Sequence, residues 1–299
     1  MKSKMKIRRV LQKLLLSVAS VGAILASLPT HATSQQPRSV KVFISVDMEG
    51  LAGVVSASEV NSTGPDYAHF RVIMAAETNA AIDGAMRAGA TSVVVRDSHG
   101  SKQNLLPNDV DPRARLLRGV STGPRNMMEG IDSTFDAVVF IGYHAKAGTP
   151  NAILEHTSTG NVIDFSINGV SLPEGGYNAL VAGLSGVPVV FVAGDRAVVE
   201  QIRGLVGPID GVAVKDEIND ASFGLSPKQA QDEIRKGVEQ AVRNRARAKA
   251  YKMAGPYTMV LKVKLEKTLF PGVQRVRQGE FTFSSARLLD VLDAFNAMK

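Results

Sequence analysis

The sequence predicts an α/β fold: a three-layer domain built on a parallel sheet, followed by a smaller α+β domain. Two observations predict it. Between residues 40 and 205, short apolar runs alternate with helical patterns, the arrangement that covers a parallel sheet with helices on both faces. After residue 205, a long charged helical pattern is followed by strand-like runs and one last amphipathic helix, a grouping that belongs to α+β structure.

The first element, residues 40–46, is an apolar strand that runs into Asp47 and Glu49 and closes on Gly50. Side chains two apart on an extended chain point the same way, so the two carboxylates face one side. Like charges at the end of a buried strand repel each other and are stabilised by a cation between them. The plainer alternative is a solvated strand end with two surface acids. Residues 67–88 follow as a helix, with Phe70, Ile73, Met74, Ala81, Ile82 and Met86 at helical spacing and Gly89 closing it. Strands are expected at 92–96, 137–142, 162–167 and 187–193, and helices at 177–184 and 195–205, the latter capped by Asp195. Ser226-Pro227-Lys228-Gln229 is a capping-box start with proline at the first helical position, opening a helix to about Arg247. Strands at 259–265 and 280–283 come next, then a helix with Leu288, Val291, Leu292 and Phe295 on one face. The expected division is a metal-binding catalytic domain at 40–205 and a smaller domain at 206–299 that shares elements from 108–132.

Residues 1–32 read as a secretory signal peptide. A basic start with six Lys/Arg precedes the apolar run 14–28 and a small-residue site at Thr30-His31-Ala32. The run is shorter than the ~20 residues a membrane span needs. Residues 33–39 form a polar, disordered leader. The expectation is a secreted or periplasmic protein with no membrane association after cleavage. The segment carries no acid, so its removal takes the net charge from +7 to about +1. A chain so nearly neutral does not bind nucleic acid. The absence of cysteine excludes disulfides and a cysteine nucleophile.

Three of the five histidines stand where chemistry is expected. His99 and His144 follow strands, as Asp47 and Glu49 do, and ligands of open α/β sheets bind at the carboxyl ends of strands. His156 lies a dozen residues further on. His31 belongs to the signal segment, and His69 sits in a helix with a structural or surface role. Imidazoles with carboxylates suit zinc or another first-row divalent ion. Glu174, before a small-residue helix, either adds a ligand or complements the helix dipole. Five ligands with one bridging aspartate suffice for two metals. His156 then remains as a proton-transfer group, a transition-state stabiliser or a sixth ligand. No G-x-S-x-G, H-E-x-x-H, Walker A or G-x-G-x-x-G motif is present.

The motifs SVDMEG, RDSHG, GYHAKAG, LEHTS and PEGGYNALVAG, in this order, resemble the D-aminopeptidase family of zinc peptidases, peptidase family M55. The phrases GPRNMMEGID, GVPVVFVAGD and VKDEIND with SFGLSP match it as well. The resemblance implies metal ligands at Asp47, Glu49, His99, His144 and Glu174, with Asp47 bridging two zinc ions and His156 as the catalytic histidine. It implies short peptide substrates, and a homo-oligomer in the form of a ring-shaped decamer. Arg96 stands where the family commonly has asparagine. The function expected is an exported zinc aminopeptidase that removes the N-terminal residue from short D-amino-acid peptides or amides. The alternatives are an L-aminopeptidase or metallo-amidase on the same scaffold, and a periplasmic peptide-binding component of a transporter.

Overall fold

The computed structural model describes residues 39–299, so the signal-peptide assignment and the leader up to Arg38 lie outside the described residues. In chain order the elements are β1 (Val40–Val46), α1 (Ala57–Val60), α2 (Tyr67–Arg87), β2 (Ala90–Asp97), β3 (Ala114–Leu117), β4 (Ala137–Tyr143), β5 (Val162–Ile167), β6 (Val170–Ser171), α3 (Glu174–Leu184), β7 (Val189–Asp195), α4 (Arg196–Val206), β8 (Asp210–Ile218), β9 (Ala221–Gly224), α5 (Pro227–Arg243), β10 (Tyr257–Val263), β11 (Gln274–Arg277), β12 (Glu280–Ser285) and α6 (Leu288–Met298).

The main sheet has the order β3-β2-β1-β4-β7-β8-β9. Its neighbours pair in parallel except the terminal β8–β9 hairpin. From β1 the chain winds outward to β2 and β3, then returns to β4 and winds the other way. Strand order therefore reverses between β1 and β4. Ligand crevices of open α/β sheets lie outside the carboxyl ends of the strands at such a point. The second sheet, β11-β12-β10-β5-β6, is antiparallel throughout.

Alternation along β1 divides the core. Val42, Ile44 and Val46 point to one face, where α2 and α5 pack. Phe43 points to the other, beneath α3, α4, the second sheet and α6. This is the expected three-layer α/β fold with a second, smaller sheet. α2 buries residues over most of its circumference, Glu77 included, because it packs against both the sheet and its neighbour α5. β4 and β7 are buried along their whole length, as strands covered on both faces must be.

The expected helix signals hold locally. Asp195 accepts from Val198 N at 2.7 Å as the N-cap of α4, and Ser226 and Gln229 form the capping box of α5. The distribution of elements differs from a division at residue 205. β5 and β6 belong to the antiparallel sheet, whereas β8, β9 and α5 complete the parallel layer. Residues 39–299 form one compact unit. The β3 segment, from the 108–132 stretch, is an edge of the parallel sheet. No helix among the described residues is long and apolar enough to cross a membrane.

Candidate metal centre

β1 delivers the first two site residues. Asp47 extends the ladder by donating its N–H to Ile141 O at 2.8 Å, and Gly50 N donates to Gly142 O at 2.8 Å. The chain passes so close to β4 here that a Cβ on Gly50 would lie 1.8 Å from the Tyr143 carbonyl oxygen. Glycine is required at this position to let the carboxylate-bearing turn approach β4. β2 delivers His99. Asp97 anchors the turn behind it, accepting from Asn104 Nδ2 and Leu105 N, both at 2.8 Å. β4 delivers His144, and Asp195 accepts from the next backbone amide, Ala145 N. Glu174 is the first residue of α3, with its carboxylate accepting from Ser158 N at 2.6 Å.

All six residues converge. His99 Nδ1 lies 3.1 Å from both Asp47 Oδ1 and Glu49 Oε2. His144 Nε2 lies 3.4 Å from Glu174 Oε1 and 3.7 Å from Asp47 Oδ2. His156 Nε2 lies 3.7 Å from Glu174 Oε1 and 3.9 Å from Glu49 Oε1. The His144 and His156 rings stack with centroids 4.0 Å apart. Two groups of three, Asp47-Glu49-His99 and His144-His156-Glu174, each bring one donor atom per residue within 4.8 Å of one another. Asp47 faces both sets, through Oδ1 to His99 and through Oδ2 to His144.

The far nitrogen of every imidazole meets a backbone carbonyl. His99 Nε2 lies 2.9 Å from Val60 O, His144 Nδ1 2.9 Å from Ala145 O, and His156 Nδ1 2.8 Å from Leu154 O. A carbonyl only accepts, so each of these nitrogens donates. In the neutral ring the other nitrogen then carries a bare lone pair aimed at the carboxylates. This is the orientation that metal-ligating histidines take, with the outer N–H held by a carbonyl. His144 Nε2 is buried and has no hydrogen-bond partner. A buried polar atom left unpaired in this way needs a partner, and a divalent cation among these oxygens supplies it. The donor set therefore fits a metal.

The electrostatics agree. Burial and the neighbouring Glu49 push the Asp47 carboxyl up. Burial would raise Glu49 too, but the His99 imidazole holds it well below the usual carboxylate range. Burial opposes charge on His144, yet Glu174, Glu49 and Asp47 lift it to about 10. Burial also works against Glu174, and the neighbouring His144 imidazole brings it to about 2. Three buried carboxylates thus draw positive charge into the site, as protons or as cations.

Several residues around the site gave no signal in the sequence. Lys215, 1% exposed on β8, donates to Glu49 O at 2.5 Å and to Val54 O at 2.7 Å. Glu77 of α2 accepts from Ala52 N at 2.9 Å. Lys102, in the loop after His99, and Lys299, after α6, line the cavity in front of the site. Arg96 is buried, with its guanidinium donating to Gly119 O and Asn126 O, so it holds that loop. His69 is exposed, away from the cluster.

A family model described as D-aminopeptidase, peptidase family M55, matches residues 40–297. The D-aminopeptidase of Bacillus subtilis (strain 168) is 34% identical over 267 residues, covering 87% of this chain and 95% of the relative. A solved structure, the Zn-dependent D-aminopeptidase DppA from Bacillus subtilis, described as a self-compartmentalizing protease, superposes with a TM-score of 0.82 at 31% identity. It covers 86% of this chain and 96% of that one. With strand ends, switch point and histidine orientations all directed at one metal centre, the match over nearly the whole described chain settles its class: it belongs to the D-aminopeptidase family, peptidase family M55, and is a metallo-aminopeptidase.

Proposed function

We propose that this protein is an exported zinc aminopeptidase that releases the N-terminal residue of short D-amino-acid peptides through a two-metal site. Asp47, Glu49, His99, His144 and Glu174 would hold two zinc ions, with Asp47 between them. The observation that carries this reading is the set of three imidazoles whose outer nitrogens are held by carbonyls while their inner nitrogens face three carboxylates. When bound, zinc supplies Lewis acidity toward the scissile carbonyl and lowers the pKa of water.

The chain's own residues do the rest. Hydrolysis adds water across the peptide bond: its oxygen goes to the carbonyl carbon, and one proton ends on the departing amine. His156 is the most exposed of the three site histidines, at 24% of its side chain, and lines the cavity where His144 does not. Its Nδ1 is committed to Leu154 O, which leaves Nε2 to take the proton from water and pass it to the amine.

The name of the curated relative supports D-residue specificity. The self-compartmentalizing description of the solved relative supports assembly of this chain into a homo-oligomer, and light scattering that returns the mass of a single chain removes that part of the reading. The basic and apolar N-terminal pattern supports export.

The experiment is a panel of D-Ala-D-Ala and L-Ala amide with and without zinc, on wild type and His156→Ala. The expected outcome is zinc-dependent cleavage of the D-peptide. His156→Ala is expected to keep its zinc and lose kcat by ~100-fold or more, the lower range for a positioned proton-transfer group. An unchanged kcat removes the role of His156. Equal or faster cleavage of the L-substrate removes the D-specificity.

A further inference from the structure

The cavity in front of the metal centre, about 330 Å³, falls at the small end of the range for ligand pockets. Its lining joins the carboxylates and His156 to two lysines, Lys102 and Lys299. Both are only partly exposed. Neither has an ion-pair partner among the described residues, although surface lysines elsewhere, such as Lys228 and Lys236, do.

The Lys102 ammonium and the Lys299 backbone are held in place. Lys102 Nζ donates to the Ser98 carbonyl, one residue before His99. Lys299 continues α6, its N–H donating to Phe295 O at 3.0 Å, while Lys267 Nζ donates to its carbonyl. Phe295 is itself fixed in the core, stacked on Phe165 at 3.9 Å, and the Lys299 ammonium lies 5.4 Å from the Phe295 ring centre. Two half-buried cations facing one cavity, neither within ion-pair distance of a carboxylate among the described residues, are stabilised by an anion that joins them. Burial pulls Lys102 down, and burial together with Lys102 brings Lys299 to about 8 despite Glu174. The three carboxylates do not serve as that anion once divalent cations neutralise them.

We propose that Lys102 and Lys299 form a carboxylate-binding end of the cleft, which receives the free α-carboxylate of the substrate and restricts the enzyme to very short peptides. This rests on the aminopeptidase reading and adds the determinant of substrate length. A dipeptide cleaved at its only peptide bond carries that carboxylate one residue beyond the scissile carbonyl, and a 330 Å³ cavity holds little more. Lysine is a point-charge donor with three N–H groups, suited to a carboxylate whose orientation changes with the side chain beside it.

The test uses zinc-loaded wild type, Lys102→Met and Lys299→Met, with methionine keeping most of the apolar stem. Two substrates are compared: D-Ala-D-Ala and its C-terminal amide. Wild type is expected to show a KM about tenfold lower for the free carboxylate, and each variant to raise that KM about tenfold, the size of one charge-assisted hydrogen bond. KM for the amide should stay within about twofold, and zinc content should not change. Calorimetry with a reduced-bond analogue of D-Ala-D-Ala and its amide reads binding without turnover, so it decides the point even if neither peptide is cleaved and the aminopeptidase reading fails. Equal affinity of wild type for the two analogues overturns the proposal, as does an equal loss of both in the variants or no binding of either.

Discussion

The six site residues carry their instructions in their hydrogen bonds. His99, His144 and His156 are each turned by a backbone carbonyl rather than by another side chain, so the tautomer is set by the fold. Asp47, Glu49, His99 and His144 were legible as candidates in the sequence because carboxylates and imidazoles at strand ends have few other uses. Glu174, at a helix start, and His156, in a loop, stayed open until the family resemblance pointed to them. The lysines were not legible. Lys102, Lys215 and Lys299 are of a residue type that is usually solvated, and nothing local in the sequence says that the chain folds over them. Glu77 escaped notice for the same reason. Its carboxylate is buried in α2 with Oε1 accepting from Ala52 N and Oε2 unpaired. Burial raises it to about 7, against the opposing pull of the Ala52 N–H and Lys215. A carboxyl near 4.5 in the unfolded chain and about 7 in the folded one makes the folded state bind more protons between those values. Its contribution to stability is complete below about pH 4.5 and is lost as pH rises through about 7. Glu77→Gln keeps the acceptor for Ala52 N and removes the titration. Urea unfolding at equal metal loading should show the variant gaining on wild type between pH 5 and pH 8, by up to the order of 3 kcal/mol. A difference that is flat with pH contradicts this account of Glu77.

At the scale of elements, the centre is held by a clamp on the turn after β1. Lys215 from β8 takes the carbonyls of Glu49 and Val54, and Glu77 from α2 takes the amide of Ala52 between them. The turn that carries Glu49 is thus fixed from a strand of the sheet and from a helix packed on it. β8 was the strand the sequence hid best. Its run DGVAVKDEI mixes charged and apolar residues, and the lysine that made it look exposed is buried because two carbonyls satisfy it. β3, β9 and β11 are short, four residues each, and none has a buried residue, so their pattern was too weak to read. The strands that lead to the candidate site residues, β1, β2 and β4, each contain a continuous apolar run that was readable. Lys215→Met removes both donors while filling the space. Expected are a folded protein and zinc affinity lower by ~10- to 100-fold, the range for loss of groups that hold a ligand's backbone or outer atoms. Competition with a chelator of known affinity measures it. Unchanged affinity means that the turn holds its shape without the clamp.

On the scale of the whole molecule, the site lies where the winding of the parallel sheet changes direction, and the antiparallel sheet with α6 adds Lys299 to the same cavity. The ends of β1, β2 and β4 bring Asp47, Glu49, His99 and His144 to the cavity, α3 brings Glu174, and the end of α6 brings Lys299. This explains why a cut at residue 205 does not describe the molecule: β5 and β6 leave the parallel layer soon after His156, β7 returns to it, and β8 and β9, beyond residue 205, continue it. Period and polarity read along the chain identify strands, but the sheet a strand joins depends on contacts far away in sequence. The decisive test of the account is the metal content of the purified, active protein, measured by elemental mass spectrometry alongside D-Ala-D-Ala turnover during stepwise chelation. The account predicts two zinc ions per chain and loss of activity as they leave. Full turnover after complete chelation, or full turnover with a single zinc per chain, would contradict it.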